Sequence, residues 1–273
     1  MKLIYCLFLI GCLSLQSIYG QGTASTPGKG MKLILSDEFN VNGLPDSTKW
    51  GYDVGGHGWG NAEKQFYLAK SLENSFVKDG KLHIVALKKD YDMQHYTSAK
   101  LTTYKKIALQ YGRIEIMAKL PAGKGTWPAI WMLPESIMDK AEKWPLCGEI
   151  DIMEHVGKNP NSIHVSLHSQ LYNHIKGTQV TYFEKLDDVC NTFHEYAIEW
   201  TQQYIKFYID GKLFYASYKG EDGRVATNEG WPFDKPYFLI LNLAIGGGWG
   251  GEIDDSIFPC EMLVDYVRIY SNK

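Results

Sequence analysis

Three carboxylates lie within six residues of one strand-like run, Gly148-Glu149-Ile150-Asp151-Ile152-Met153-Glu154-His155. In a regular strand, residues two apart share a face, so Glu149 and Asp151 point the same way. Glu154 stands an odd number of residues from Glu149 and would face the other side. One extra residue, inserted as a β-bulge near Ile152-Met153, restores parity and brings all three acids to one surface. Ile150 and Ile152 then pack behind them. Such a set suits glycosidic-bond hydrolysis, because a retaining mechanism needs a carboxylate nucleophile and a carboxylic acid about 5–5.5 Å apart. An aspartate between two glutamates adds like charge, which keeps a neighbour protonated near neutral pH. On spacing alone the same run also reads as a solvated strand face with unrelated acids, or as a calcium site built from the three.

The elements that must position these acids are strands. Segments 32–39, 76–88, 101–103, 111–120, 129–133, 149–155, 163–169, 195–201, 204–209, 213–218, 237–245 and 262–270 alternate, or run apolar with β-branched and aromatic residues. Asp79-Gly80 and Asp210-Gly211 are hairpin-turn signals between such runs. Only 62–71 and 137–143 look helical. A dozen strands with few helices predict an all-β sandwich or barrel.

Composition agrees. The 273 residues are 45% hydrophobic and 22% charged, the balance of a chain that buries a sizeable core, so general disorder is excluded. A net charge of -3 gives no basic excess for nucleic acid. The 8 Trp, 18 Tyr and 11 Phe, punctuated by 27 Gly, suit many strands and stacking surfaces for amphipathic ligands. Residues 1–20 have a short basic start and an apolar stretch, and read as a secretory signal peptide ending at Gly20. Leu9-Ile10-Gly11-Cys12 offers an alternative, a lipoprotein cleavage box with Cys12 lipidated. Residues 21–30 are small and polar, a flexible leader. Beyond it no second linker or repeat interrupts the chain, so 31–273 parses as one domain. Cys147, Cys190 and Cys260 remain after signal removal, and an odd number leaves at least one thiol free.

The run from Trp144 to His155, W-P-x-x-G-E-I-D-I-M-E-H, resembles the signature of glycoside hydrolase family 16. The similarity extends over essentially the whole domain, in order. It includes Asp37-Glu38-Phe39, Gly58-Trp59-Gly60-Asn61 with Glu63 and Gln65, Tyr111-Gly112-Arg113, and Gly125-Thr126-Trp127-Pro128-Ala129-Ile130-Trp131. It continues through Ile245-Gly246-Gly247-Gly248-Trp249-Gly250-Gly251 to Val264-Asp265-Tyr266-Val267-Arg268-Ile269-Tyr270. The resemblance implies a concanavalin A-like β-jelly roll, two antiparallel sheets with a substrate cleft on the concave face. It implies Glu149 as nucleophile, Glu154 as general acid and then base, and Asp151 as the residue that tunes and orients the pair. The E-x-D-x-x-E spacing is the form found in laminarinases and agarases, and the Gly58–Gln65 and Thr126–Trp131 stretches look most like laminarinases, which cleave β-1,3-glucan and often mixed-linkage β-1,3/1,4-glucan.

Further site residues follow from the residues and the resemblance together. Trp127, Trp131 and Trp144 flank Gly and Pro turns, where an aromatic face can stack on sugar. Trp127 and Trp144 are assigned to the cleft, with Trp131 divided between cleft and core. Trp249, among glycines, reads as a cleft-rim loop or a packed anchor. Asn61 and Arg113 are candidates to bond sugar hydroxyls, though Arg113 could instead pair with a core acid. His164 and His168 share a strand face, and His168 is expected beside sugar or a catalytic acid. No catalytic metal is expected from these histidines and His174, and no cofactor is needed for catalysis. Cys147 reads as a small buried hydrophobe. A structural calcium ion, implied by the resemblance, would take Glu38, the Gly80 backbone and Asp265, oxygen donors of the kind calcium prefers. The expected partner is a β-glucan polysaccharide or oligosaccharide, bound by a monomer. Two other readings stay open: an agarase-type galactan hydrolase of the same family, and a non-catalytic β-glucan-binding protein.

Overall fold

The computed structural model describes residues 30–138 and 142–272. The expected signal peptide, Cys12 and nearly all of the leader lie outside the described residues. Among the described residues, seventeen strands, numbered here in chain order, form two stacked sheets. The first sheet runs β12 (Val180–Lys185), β11 (Ser162–His168), β10 (Glu149–Glu154), β9 (Thr126–Pro134), β16 (Tyr237–Ile245), β7 (Lys100–Thr102) and β2 (Gly51–Tyr52). The second runs β15 (Lys212–Tyr218), β14 (Tyr204–Ile209), β13 (His194–Trp200), β8 (Gly112–Lys119), β17 (Cys260–Ser271), β5 (Lys81–Tyr91), β6 (Gln94–Ser98) and β3 (Gln65–Tyr67). On it β1 (Lys32–Asp37) pairs with β17 and β4 (Ser75–Lys78) with β5.

The core lies between the sheets. Ile130, Met132, Ile150, Ile163, Val165, Leu167, Leu239 and Leu241 of the seven-stranded sheet meet Leu82, Ile84, Ile114, Ile116, Ile198, Phe207, Val264 and Ile269 of the other. Each such side chain contributes about 1.5–3 kcal/mol on leaving water. Strand β16 is buried along its whole length, because its outward face carries a second apolar cluster of Phe238 and Ile240 with Leu133 of β9. Its continuous apolar sequence follows from burial on both sides.

Several expected elements take a different form. The stretch 76–88 is two strands joined at Asp79-Gly80, where both residues have positive φ as a tight hairpin turn requires. Residues 62–71 are not helical; they hold β3, which pairs with β6 in parallel, an exception to the antiparallel pattern. Near 137–143 only a 3₁₀ turn, Glu135–Ile137, forms among the described residues. Strand β12 was not expected, since an edge strand exposed on both faces shows little period-two burial.

Candidate active site

The bulge forms where parity demands it. Against β9, Asp151 pairs with Trp131 and Met153 with Ile130, which leaves Ile152 as the inserted residue. Against β11, Asp151 pairs with Ser166 and Glu154 with His164, three steps on one strand facing two on the other. Ile150, Ile152 and Met153 are buried behind. Glu149, Asp151 and Glu154 therefore share the outward face of the seven-stranded sheet. Their neighbours there are His168, Ser166 and His164 on β11, Trp127 and Trp131 on β9, and Asn242 on β16.

Each acid has distinct company. Trp127 Nε1 donates to Glu154 Oε1 at 3.1 Å. His168 Nε2 stands 3.2 Å from Asp151 Oδ2 and 3.7 Å from Glu149 Oε1, so one imidazole faces both carboxylates. One ligand atom from each of Glu149, Asp151 and His168 falls within 4.8 Å of the others. The 3.2 Å approach is out of line for a hydrogen bond, and Asp151 Oδ2 is buried without a hydrogen-bond partner. That is a poor setting for a carboxylate and a tolerable one for a carboxylic acid.

The titration of the three follows from this crowding. Burial and then the charge of Asp151 push Glu149 up to about 8. The same two causes push Glu154 up to about 8, against the hydrogen bond from Trp127. Burial alone raises Asp151 well above the usual range. The acids titrate as a group whose last protons leave only above neutral pH. Near neutral pH the group thus keeps a proton that an ordinary glutamate would have lost.

A pH prediction follows. The alkaline limb of kcat/KM should fall near pH 8, because activity ends when the acid's proton is lost. A limb near the ordinary carboxylate value of 4.5 would contradict this. Stability moves in the same window. The folded state holds protons that the unfolded chain releases, so the contribution of these groups is full below about pH 4.5 and is lost as pH rises to about 8. Thermal melting across pH 4–9 measures it.

A buried polar chain braces the floor beside the acids. Trp131 Nε1 donates to Asn242 Oδ1 at 2.7 Å, Asn242 Nδ2 to the Tyr67 hydroxyl at 3.0 Å, and that hydroxyl to Glu63 Oε2 at 3.3 Å. Gln65 Nε2 also donates to Glu63 Oε2 at 2.6 Å, while its Oε1 accepts from the Ile245 amide at 2.7 Å. The Gly58–Gln65 stretch is thereby tied to the end of β16. Lys100 Nζ lies 4.2 Å above the Trp59 ring and 4.9 Å above Trp131, and pairs with Asp53 at 3.2 Å.

Most of the expected site residues gather here. Trp127 touches Glu154, and Trp249 meets Trp127 edge-on at 5.5 Å. Trp131 stands directly opposite Asp151, which puts it on the outward face and not in the core between the sheets. Trp144 packs on the outer apolar cluster and lies 6.0 Å from the His168 ring. Asn61 donates to Glu63 at 3.3 Å, and its carbonyl accepts from the Gly248 amide, at the edge of the same face. Cys147 is buried and free, as are the Cys190 and Cys260 thiols free.

Arg113 is the correction. It lies on β8 of the opposite sheet, buried, with Nε donating to Glu115 Oε1 at 2.6 Å and Nη2 3.6 Å from Glu195. It pairs buried acids on the face of β8 turned away from Ile114 and Ile116, and cannot reach a sugar on the outward face of the other sheet. The two carboxylates expected to hold calcium each have a cationic partner. Arg268 donates to both Glu38 oxygens at 2.8 Å, and Lys81 stands 3.7 Å from Asp265. With both carboxylates turned to cations, the set as arranged does not fit an open calcium cage. Lys100 and Asn242 were not singled out from sequence, and Glu63 only as part of a motif. The partners of Lys100 and Asn242 lie far off in the chain, so no local pattern marks those two.

Comparison with known proteins follows the same lines. The family model for glycosyl hydrolases family 16 matches residues 62–268. A beta-glucanase of Rhodothermus marinus is 46% identical over 268 residues, covering 96% of this chain and 91% of that protein. A glucan endo-1,3-beta-glucosidase A1 of Niallia circulans is 38% identical over 92% of this chain; the chain spans only 40% of that longer protein. The crystal structure of the laminarinase from Rhodothermus marinus superposes with a TM-score of 0.85 at 48% identity, over 88% of this chain and 97% of that one.

Proposed function

The chain belongs to glycosyl hydrolase family 16, a jelly-roll glycoside hydrolase, and from that premise we propose an endo-acting β-glucanase that cleaves β-1,3-glucan and mixed-linkage β-1,3/1,4-glucan with retention of configuration. The observation that carries this reading is the bulged β10, which sets Glu149, Asp151 and Glu154 on one aromatic-lined face. Glu149 attacks the anomeric carbon and forms a glycosyl–enzyme bond as Glu154 delivers its proton to the departing oxygen. Glu154, now a carboxylate, takes a proton from water, and that water displaces Glu149. Trp127 holds the Glu154 carboxyl in line through its indole N–H. His168 faces Glu149 and Asp151, where a donor steadies the negative charge as it returns to Glu149.

β-1,3 links curve a glucan chain, and an aromatic-walled face suits a curved chain better than flat cellulose. In mixed-linkage glucan the same links supply local kinks, so cleavage falls next to a β-1,3-linked unit. A binding protein has no use for two crowded glutamates with raised pKa, which favours catalysis over a lectin role. On this reading the protein works outside the cytoplasm, with residues 1–20 as export signal. N-terminal sequencing separates a chain beginning at Gln21 from one lipid-anchored at Cys12. Reducing-sugar release tests the substrate: laminarin and mixed-linkage glucan should be cut, and carboxymethyl cellulose should not. Oligosaccharides from agarose, with none from either glucan, would replace this reading by the galactan one.

A further inference from the structure

The aromatic side chains at the acid do not end with Trp127. Trp249 meets Trp127 edge-on at 5.5 Å, His164 meets Trp249 edge-on at 5.0 Å, and Phe183 lies 5.8 Å beyond His164. Register gives the same line. Glu154 pairs with His164 across β10 and β11, and His164 pairs with Phe183 across β11 and β12. Acid, imidazole and phenyl ring therefore stand in one row on the outward face. Two strand spacings separate the ends of that row, about 10 Å. A glucosyl unit takes up roughly one such step, so Phe183 stands about two units from the acid.

Phe183 is 57% exposed on the strand that closes the sheet edge, beside the charged Glu184 and Lys185. A bare aromatic there invites association unless something else uses it. The opposite end of the face carries the Gly58–Gln65 stretch, tied to the end of β16, with Lys100 over Trp59. The row through Phe183 runs the other way, to an exposed ring on the edge strand, and it starts from the residue that protonates the departing oxygen.

We propose that Phe183 is a stacking platform for the second glucosyl unit on the leaving-group side of the scissile bond, and that it confers a preference for chains long enough to reach it. The proposal rests on the β-glucanase reading above. A ring of this kind offers an apolar face to the C–H side of a pyranose, while the sugar hydroxyls stay in water. It binds polymer without touching the chemistry, so its contribution appears in KM and leaves kcat unchanged.

The test compares Phe183→Ala with the wild-type protein on two substrates. One is a soluble β-1,3-gluco-oligosaccharide long enough to extend two units past the cleavage point. The other is an aryl β-gluco-oligoside whose leaving group is a single phenol. KM for the first should rise about 2–10-fold in the variant. Values for the aryl substrate should stay at wild-type level, and Phe183→Trp should restore the first. An exposed ring is not a packing residue, so the melting temperature should hold. Unchanged KM on the long substrate would overturn the platform, as would an equal loss on the aryl one, which would put Phe183 on the other side of the bond. Wild-type protein inert toward every β-glucan would instead remove the function reading, and the platform with it.

Discussion

Replacing Glu149 by alanine is expected to stop hydrolysis, lowering turnover by about 10⁴–10⁶-fold, the scale on which loss of a covalent nucleophile falls. The fold should survive and gain. Glu149 sits on the outward face with its ionised form opposed by burial and by Asp151, so removing it relieves repulsion that grows as pH rises. The melting temperature should therefore match the wild type near pH 4.5 and exceed it near pH 8. Azide, small enough for the vacated space, should attack an activated glycoside from the face Glu149 used. The product is then a glycosyl azide of inverted configuration, because only one displacement occurs. Near-normal activity in the variant, or azide products of retained configuration, would remove Glu149 from the nucleophile's place.

The bulged acidic run was legible because its irregularity is arithmetic. An even spacing followed by an odd one, inside a run with apolar residues behind, forces a bulge if the acids are to act together, and β10 supplies it at Ile152. Strand β16 was legible for the opposite reason: it is buried on both faces, and nine apolar or amide residues in a row admit little else. Arg113 shows where the reading runs out. Alternation tells which residues share a face but not which sheet that face belongs to. A charged residue in an apolar strand fits a cleft and a buried ion pair equally well, and here Glu115 and Glu195 decide. Residues 62–71 are not the expected helix because β3 is three residues long and is held by β6 and by the Tyr67–Asn242 bond, contacts that no local pattern announces. The brace under Trp131 links positions more than a hundred residues apart, so it too exists only once the sheets are stacked.

Glu154→Ala should separate substrates by their leaving groups. A glucan chain departs as an alkoxide unless it is protonated, so loss of the acid should slow cleavage of laminarin about 10²–10⁴-fold. A dinitrophenyl glycoside departs without help, and formation of its glycosyl–enzyme should proceed at close to the wild-type rate. Its turnover then stalls at the second step, where Glu154 serves as base, and a burst of phenol equal to the enzyme concentration should appear. Azide needs no base, so it should relieve the stall and yield a glycosyl azide of retained configuration, because two displacements have taken place. That is the opposite anomer from the Glu149 variant, and the pair of products assigns the two glutamates without reference to rates. Loss of the Glu154 carboxyl also frees the Trp127 indole, whose N–H it accepts at 3.1 Å. Glu154→Gln keeps an acceptor there and cannot give up a proton as a carboxylic acid does. If lost proton transfer is the cause, the Gln and Ala variants should be equally slow on laminarin. A Gln variant restored to wild-type rate would show instead that Glu154 acts by holding Trp127, and the acid would have to be sought elsewhere in the site.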